Sequence, residues 1–161
     1  MSVCIDFAES IADFDNAKQL FLEYADSPGF SLCFQGFEEE LENLPGKYAA
    51  PDGCILLARD KLDCVGCVGL RPLNQNVCEM KRLYVKPAFR RIGLGRCLAE
   101  RIVLQGSQKN YVRMQLDTLS NMKYAMKLYR SLGFVETDPY YNNPHPEVVF
   151  FEISLDKPTQ A

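Results

Sequence analysis

The chain has 161 residues, 47% of them apolar and 24% charged, a balance that excludes a disordered polymer and predicts a single globular domain over 1–161. Its net charge of −3 offers no general basic surface for a nucleic-acid backbone. No apolar run approaches the ~18 residues of a membrane-spanning helix, so neither nucleic acid nor membrane is an expected partner.

Val3, Ile5 and Phe7 alternate with polar neighbours and predict a first strand. Asp13, read as an N-cap, precedes Phe14, Ala17, Leu20, Phe21 and Tyr24 at helical spacing, and Ser27-Pro28-Gly29 ends that helix. A second helix is expected from about Gln35 to Leu44, with Phe37, Leu41 and Leu44 on one face and an acidic solvated face, broken by Pro45-Gly46. CILLAR and CVGCVGL then read as an antiparallel hairpin, followed by the strand VCEMKRLYV. A Pro- and Gly-containing loop leads into a helix through about Leu104, closed by Gly106. The strand YVRMQLDTL and a helix from Asn121 to Leu132, stopped by Gly133, come next. Two more strands flank a Pro/Asn loop at the end. The order β-α-α-β-β-β-α-β-α-β-β predicts one α/β domain with a mixed sheet.

Seven cysteines, an odd number spread through apolar segments, suit a reducing compartment as small core hydrophobes, and MSVCIDFAES has no basic or apolar leader. The expectation is a cytoplasmic protein. Cys64-Val-Gly-Cys67 has CxxC spacing, but it lies inside a strand, lacks a second pair, and has one histidine, His145, to work with. No metal site is expected.

The stretch LYVKPAFRRIGLGRCLAE carries the clearest chemical signal. A strand ends, and Arg90, Arg91, Gly93 and Gly95 stand where a helix begins. Glycines let backbone N–H groups converge, and the helix terminus adds roughly half a positive charge, which together suit a pyrophosphate. The third small residue of GxGxxG is missing, since Leu98 stands there, and no GxxxxGK[ST] occurs. From these residues alone, a phosphate ligand and a tight turn both remain open.

Arg90-Arg91-Ile92-Gly93-Leu94-Gly95 resembles R/Q-x-x-G-x-G/A, the acetyl-coenzyme A loop of the GNAT superfamily of N-acetyltransferases. Ala125-Met126-Lys127-Leu128-Tyr129-Arg130-Ser131-Leu132-Gly133-Phe134 resembles the A-x-x-L-Y-x-x-x-G-F segment of that family, one helix and one strand downstream. The resemblance spans about residues 54–155. It implies a three-layer sandwich whose mostly antiparallel mixed sheet is splayed at its centre. It also implies acetyl-coenzyme A as cosubstrate, the pantetheine arm paired to main chain at Leu83-Tyr84-Val85, and the pyrophosphate at N–H groups from Arg91 through Ile92, Gly93, Leu94 and Gly95 to Arg96. Arg90 and Met122 complete the expected cofactor contacts, Met122 standing where the family often has Asn; Asn121 is read as a helix cap.

In such a family, Tyr129 is placed to protonate the leaving thiolate, and Glu79 to take the proton of the amine, directly or through a water. For Glu79, the competing reading is an ion pair with Lys81 or Arg82. The implied activity is direct acetyl transfer to a primary amine of a small molecule or peptide, by a monomer or homodimer. The alternatives are a non-catalytic acyl-coenzyme A binding module of the same fold and a nucleotide- or phosphate-binding protein. The acceptor wall is expected from about Pro28–Pro51 and Tyr140–Pro146, which carry Phe30, Phe34, Phe37, Tyr140, Tyr141 and His145 with several Glu residues. Carboxylates there favour a cationic amine, whereas Arg71 favours an acceptor carboxylate. His145, between two prolines, reads as an exposed loop residue.

Overall fold

The computed structural model describes residues 2–26 and 36–155. The expected stop at Ser27–Gly29, the start of the second helix at Gln35, and Phe30 and Phe34 lie outside them. Strand β1 (Val3–Phe7) leads to helix α1 (Ile11–Ala25), and α2 (Phe37–Glu42) precedes the hairpin of β2 (Cys54–Asp60) and β3 (Asp63–Pro72). Strand β4 (Val77–Val85), helix α3 (Leu94–Gln108), strand β5 (Arg113–Leu119), helix α4 (Lys123–Ser131) and strands β6 (Val135–Thr137) and β7 (Val148–Ser154) complete the expected order.

The strands form one seven-stranded sheet in the order β1-β2-β3-β4-β5-β7-β6. Only β4 and β5 run parallel, which α3 makes necessary because a parallel neighbour needs a crossover. Strand side chains alternate between the two faces. Cys54, Leu56 and Ala58 of β2 therefore join Cys78, Met80, Met114 and Leu116 against α3 and α4. Ile55 and Leu57 point the other way, against Ala17, Leu20 and Phe21 of α1 and Phe37 and Leu41 of α2. The result is a helix–sheet–helix sandwich. No helix among the described residues is long and apolar enough to cross a membrane.

Three expected boundaries are corrected. Ser10, not Asp13, caps α1: its hydroxyl accepts from Asp13 N–H, and the Asp13 carboxylate returns the bond to the Ser10 N–H. Gly106 does not close α3 but lies inside it, letting the helix settle against Met114, Leu155 and Cys78. Asn121 does not cap α4, because Met122 holds the N-cap position and no side chain bonds there.

The sheet is not continuous at its centre. β4 and β5 pair only through Val77, Cys78 and Glu79 opposite Arg113, Met114 and Gln115. On its other edge β4 is irregular against β3, where the register shifts between Cys67 and Gly69 and Arg82 takes φ 61°. Such a bulge bends its strand, and here β4 leaves β5 just beyond it. The Arg82 backbone is held there by Cys67 Sγ donating to its carbonyl, at 3.3 Å.

Candidate active site

The divergence of β4 from β5 opens a cleft of about 550 Å³, counting its mouth. Leu83, Leu119, Met122 and Tyr129 line it together with Lys81, Asp117, Asn143 and His145. Tyr129 is 7% exposed, with its ring against Phe134 and Phe151 at 5.8 and 6.2 Å between centroids. Its hydroxyl has no hydrogen-bond partner among the described residues and faces a cleft that its own residue lines. Burial raises the Tyr129 pKa, so the phenol keeps its proton throughout the working range.

Beside the cleft, the glycine loop follows the end of β4. Arg90 Nε donates to the Val85 carbonyl at 2.8 Å, and its guanidinium lies 5.6 Å from the Tyr84 ring centroid. Arg90 thus braces the turn, and the Val85 carbonyl already accepts one bond. Arg91 and Gly93 both have positive φ, 67° and 85°, and residues 91–93 are exposed. The first bond of the α3 ladder runs from Cys97 N–H to Gly93 C=O at 3.0 Å, so the N–H groups of Leu94, Gly95 and Arg96 precede the ladder. Arg96 reaches α4 through Ser131 Oγ at 3.0 Å. Open N–H groups, a helix start and a left-handed glycine are what a pyrophosphate requires.

Opposite Tyr129 the sheet carries buried charge. Arg71, Glu79, Lys81 and Asp117 share the α1/α2 face of neighbouring strands, because Leu70, Met80 and Leu116 occupy the other face. Glu79 is 1% exposed; it accepts from Arg71 Nε at 2.8 Å and from the Tyr140 hydroxyl, with Lys81 Nζ at 3.9 Å. Its first partner is therefore Arg71, directly opposite it in the β3–β4 register, rather than Lys81 or Arg82. Lys81 bonds Asp117 at 3.1 Å, and the Tyr141 hydroxyl takes the second Asp117 oxygen. Burial alone would raise the Asp117 pKa, but Lys81 and the Tyr141 bond outweigh it and hold the group below the ordinary carboxylate value. Arg82 grips Glu40 of α2 with Nε and Nη2 at 3.0 and 2.9 Å, and Arg71 Nη1 reaches the same carboxylate at 3.5 Å.

The structure thus brings Leu83, Met122 and Tyr129 to one cleft, with the loop from Arg90 to Arg96 at its side. Glu79 sits behind the wall rather than in it. Asp117 escaped the sequence reading as a cleft residue, whereas Asn143 and His145 lie within the Tyr140–Pro146 segment expected at the acceptor wall. Asp117 was visible as a lone carboxylate in an apolar strand, and Asn143 as part of the Pro/Asn loop. His145 was expected in that segment but read as an exposed loop residue; it is half-buried and lines the cleft. CxxC has no common role, since Cys64 meets Arg59 at 3.4 Å and Cys67 holds the Arg82 carbonyl. Among the described residues no cluster of three His, Cys, Asp or Glu stands ready for a metal ion.

Comparison with known proteins adds to the geometry. A sequence profile described as the acetyltransferase (GNAT) family matches residues 17–134. An uncharacterized N-acetyltransferase of Schizosaccharomyces pombe is 42% identical over 147 residues, 90% of each chain. An acetyltransferase of the GNAT family from Staphylococcus aureus superposes with a TM-score of 0.79 at 20% identity, over 96% of this chain and all of that one. The PaiA N-acetyltransferase of Thermoplasma acidophilum, solved in complex with coenzyme A, gives 0.74 at 18% identity, over 96% and 99% of the two chains. At such identities the superpositions speak for the fold.

Proposed function

The chain belongs to the acetyltransferase (GNAT) family, and from that membership we propose that it moves the acetyl group of acetyl-coenzyme A directly to a primary amine of a small molecule or peptide. The observation that carries this reading is the cleft opened by the Arg82 bulge, with the unpartnered Tyr129 hydroxyl in its lining and the exposed turn at 91–93 beside it.

Acetyl-coenzyme A supplies the activated thioester. The N–H groups from Arg91 to Arg96 hold its pyrophosphate, and the main chain of Leu83, Tyr84 and Val85 pairs with the pantetheine arm. Met122 packs beside that arm. An amine of pKa ~10.4 must lose a proton before it attacks. Glu79 takes that proton through the Tyr140 hydroxyl, which passes its own proton to the carboxylate it donates to as it takes the amine's. Tyr129 returns a proton to the leaving thiolate; burial keeps that proton on the phenol until the thiolate forms, and also makes the phenol a weaker acid. Asp117 keeps its charge between Lys81 and Tyr141, and so stabilises the wall rather than exchanging protons.

Thermal unfolding with acetyl-coenzyme A, with ATP and NADPH as controls, tests the cosubstrate. A ligand at ~100 times its Kd adds about 2.7 kcal/mol, a rise of roughly 5–10 °C at this size. No rise, or one with nucleotides only, removes the reading. Tyr129→Phe then tests the chemistry: transfer falls about 100-fold while acetyl-coenzyme A affinity holds. Cosubstrate binding with no transfer to any amine favours the non-catalytic module instead.

A further inference from the structure

The wall of the cleft opposite Tyr129 is built from groups whose hydrogen-bonding capacity can be counted. Glu40 accepts from Arg71 and Arg82 on one oxygen and from Tyr48 and Arg82 on the other. Glu79 accepts from Arg71 on one oxygen and Tyr140 on the other. Asp117 does the same with Lys81 and Tyr141. Each of these carboxylates is already paired with a cation, Glu40 with Arg82, Glu79 with Arg71 and Asp117 with Lys81. An ammonium group entering the cleft would have to compete with a guanidinium or ammonium already in place for its partner.

His145 is the opposite case. Its ring accepts the Glu147 N–H on Nδ1 at 3.1 Å, which leaves the proton of the neutral imidazole on Nε2. Nε2 has no partner among the described residues, and it is not sealed from solvent. The loop spends several bonds on fixing that ring. Asn143 Oδ1 accepts the His145 N–H at 2.9 Å, while Asn143 Nδ2 donates to the Tyr141 hydroxyl at 2.7 Å. Ser120 N–H holds the Glu147 carbonyl at 2.8 Å, tying the loop to the end of β5. Pro144 and Pro146 remove further freedom on either side. The outcome is an oriented donor in the lining of the cleft that Tyr129 also lines. The charged residues in that lining are Lys81, Arg82 and Asp117, held in ion pairs of Lys81 with Asp117 and of Arg82 with Glu40, beside the tyrosines Tyr24 and Tyr129.

Resting on the acetyl-transfer reading above, we propose that His145 is a specificity-determining residue whose Nε2–H binds a carboxylate on the acceptor, making the acceptor an amino acid rather than a simple amine or polyamine. The carboxylate lies within a few bonds of the amine, because His145 and Tyr129 line one and the same cleft.

The experiment begins with calorimetric binding of acetyl-coenzyme A to the wild type and to His145→Ala, which checks the cosubstrate and the folding of the variant together. Absence of binding to the wild type overturns the acetyl-transfer reading itself. Coenzyme A release is then followed with the common amino acids, their carboxamides and their decarboxylated amines. The expected result is a kcat/KM for the best amino acid at least tenfold above that of its carboxamide and amine. In His145→Ala that ratio narrows about tenfold through KM, as loss of one hydrogen bond to a charged group implies. His145→Gln, which keeps an N–H donor, recovers part of it. If the amide or amine is used as well as the acid, if no amino acid is acetylated, or if His145→Ala leaves the ratio unchanged, the proposal is wrong while the cosubstrate assignment stands.

Discussion

Glu40→Ala is the substitution that most directly tests how the wall is held. Glu40 has 9% of its side chain exposed and Arg82 has 1%, and the two form a two-point ion pair at 2.9 and 3.0 Å. Truncation also takes the acceptor of the Tyr48 hydroxyl, at 3.2 Å, from a tyrosine that is 3% exposed. Removing one member of a buried pair costs about 3–5 kcal/mol, because the surviving charge remains out of water. At ~2–4 °C per kcal/mol for a domain of this size, the midpoint of thermal unfolding should fall by roughly 6–20 °C. Glu136→Ala is the control: Arg130 and Glu136 are 54% and 60% exposed, and such a pair is worth about 0–1 kcal/mol. Urea denaturation followed by circular dichroism measures both. Glu40→Gln, which keeps the volume and one acceptor oxygen, should fall between them. A Glu40→Ala loss under 1 kcal/mol, indistinguishable from Glu136→Ala, would refute the view that this pair carries the wall.

Gly69→Ala should destabilise by about 1–3 kcal/mol, since a Cβ there would lie 2.5 Å from Tyr48 Cε1 and the buried ring has to move. Because that shift also pulls Tyr48 from Glu40, the double variant with Glu40→Ala should lose less than the two single losses together. Gly93→Ala has open space for its methyl but must hold φ 85°; about 1–2 kcal/mol of strain is expected, together with weaker acetyl-coenzyme A binding in calorimetry. Asp117, with its folded pKa lowered, contributes stability that is present above the unfolded value of ~3.9 and lost as pH falls through the folded value. Between pH 5 and pH 2 the wild type should therefore lose more stability than Asp117→Asn; parallel curves would contradict the assignment.

The order of elements was legible because each is encoded locally. Alternation in β2 and the three-and-four spacing of Ala17, Leu20, Phe21 and Tyr24 need no knowledge of the rest of the chain. The errors are local too. Asp13 was taken as the cap because it is a strong capping residue, yet it sits at the third helical position and answers Ser10 from there. Gly106 looked like a stop because glycine ends helices; what it meets in the core, Met114, Leu155 and Cys78, comes from three distant segments.

The two halves of the site differ for the same reason. The pyrophosphate turn is a run of adjacent residues whose function lies in backbone N–H groups, so glycines and a helix start announce it. The acceptor wall is a product of register. Arg71 meets Glu79 because β3 and β4 place them opposite each other, and Asp117 reaches Lys81 across strands that have already begun to part. One bulge at Arg82 does both jobs: it sends that guanidinium to Glu40 of α2, and it turns β4 from β5 to open the cleft. No residue type marks a bulge at an arginine, because left-handed φ is held there by its surroundings rather than by its own preference. The burial of His145 was missed by the same logic. A histidine between two prolines in a polar loop looks solvated until β5 and β7 pair and carry the loop across the mouth of the cleft.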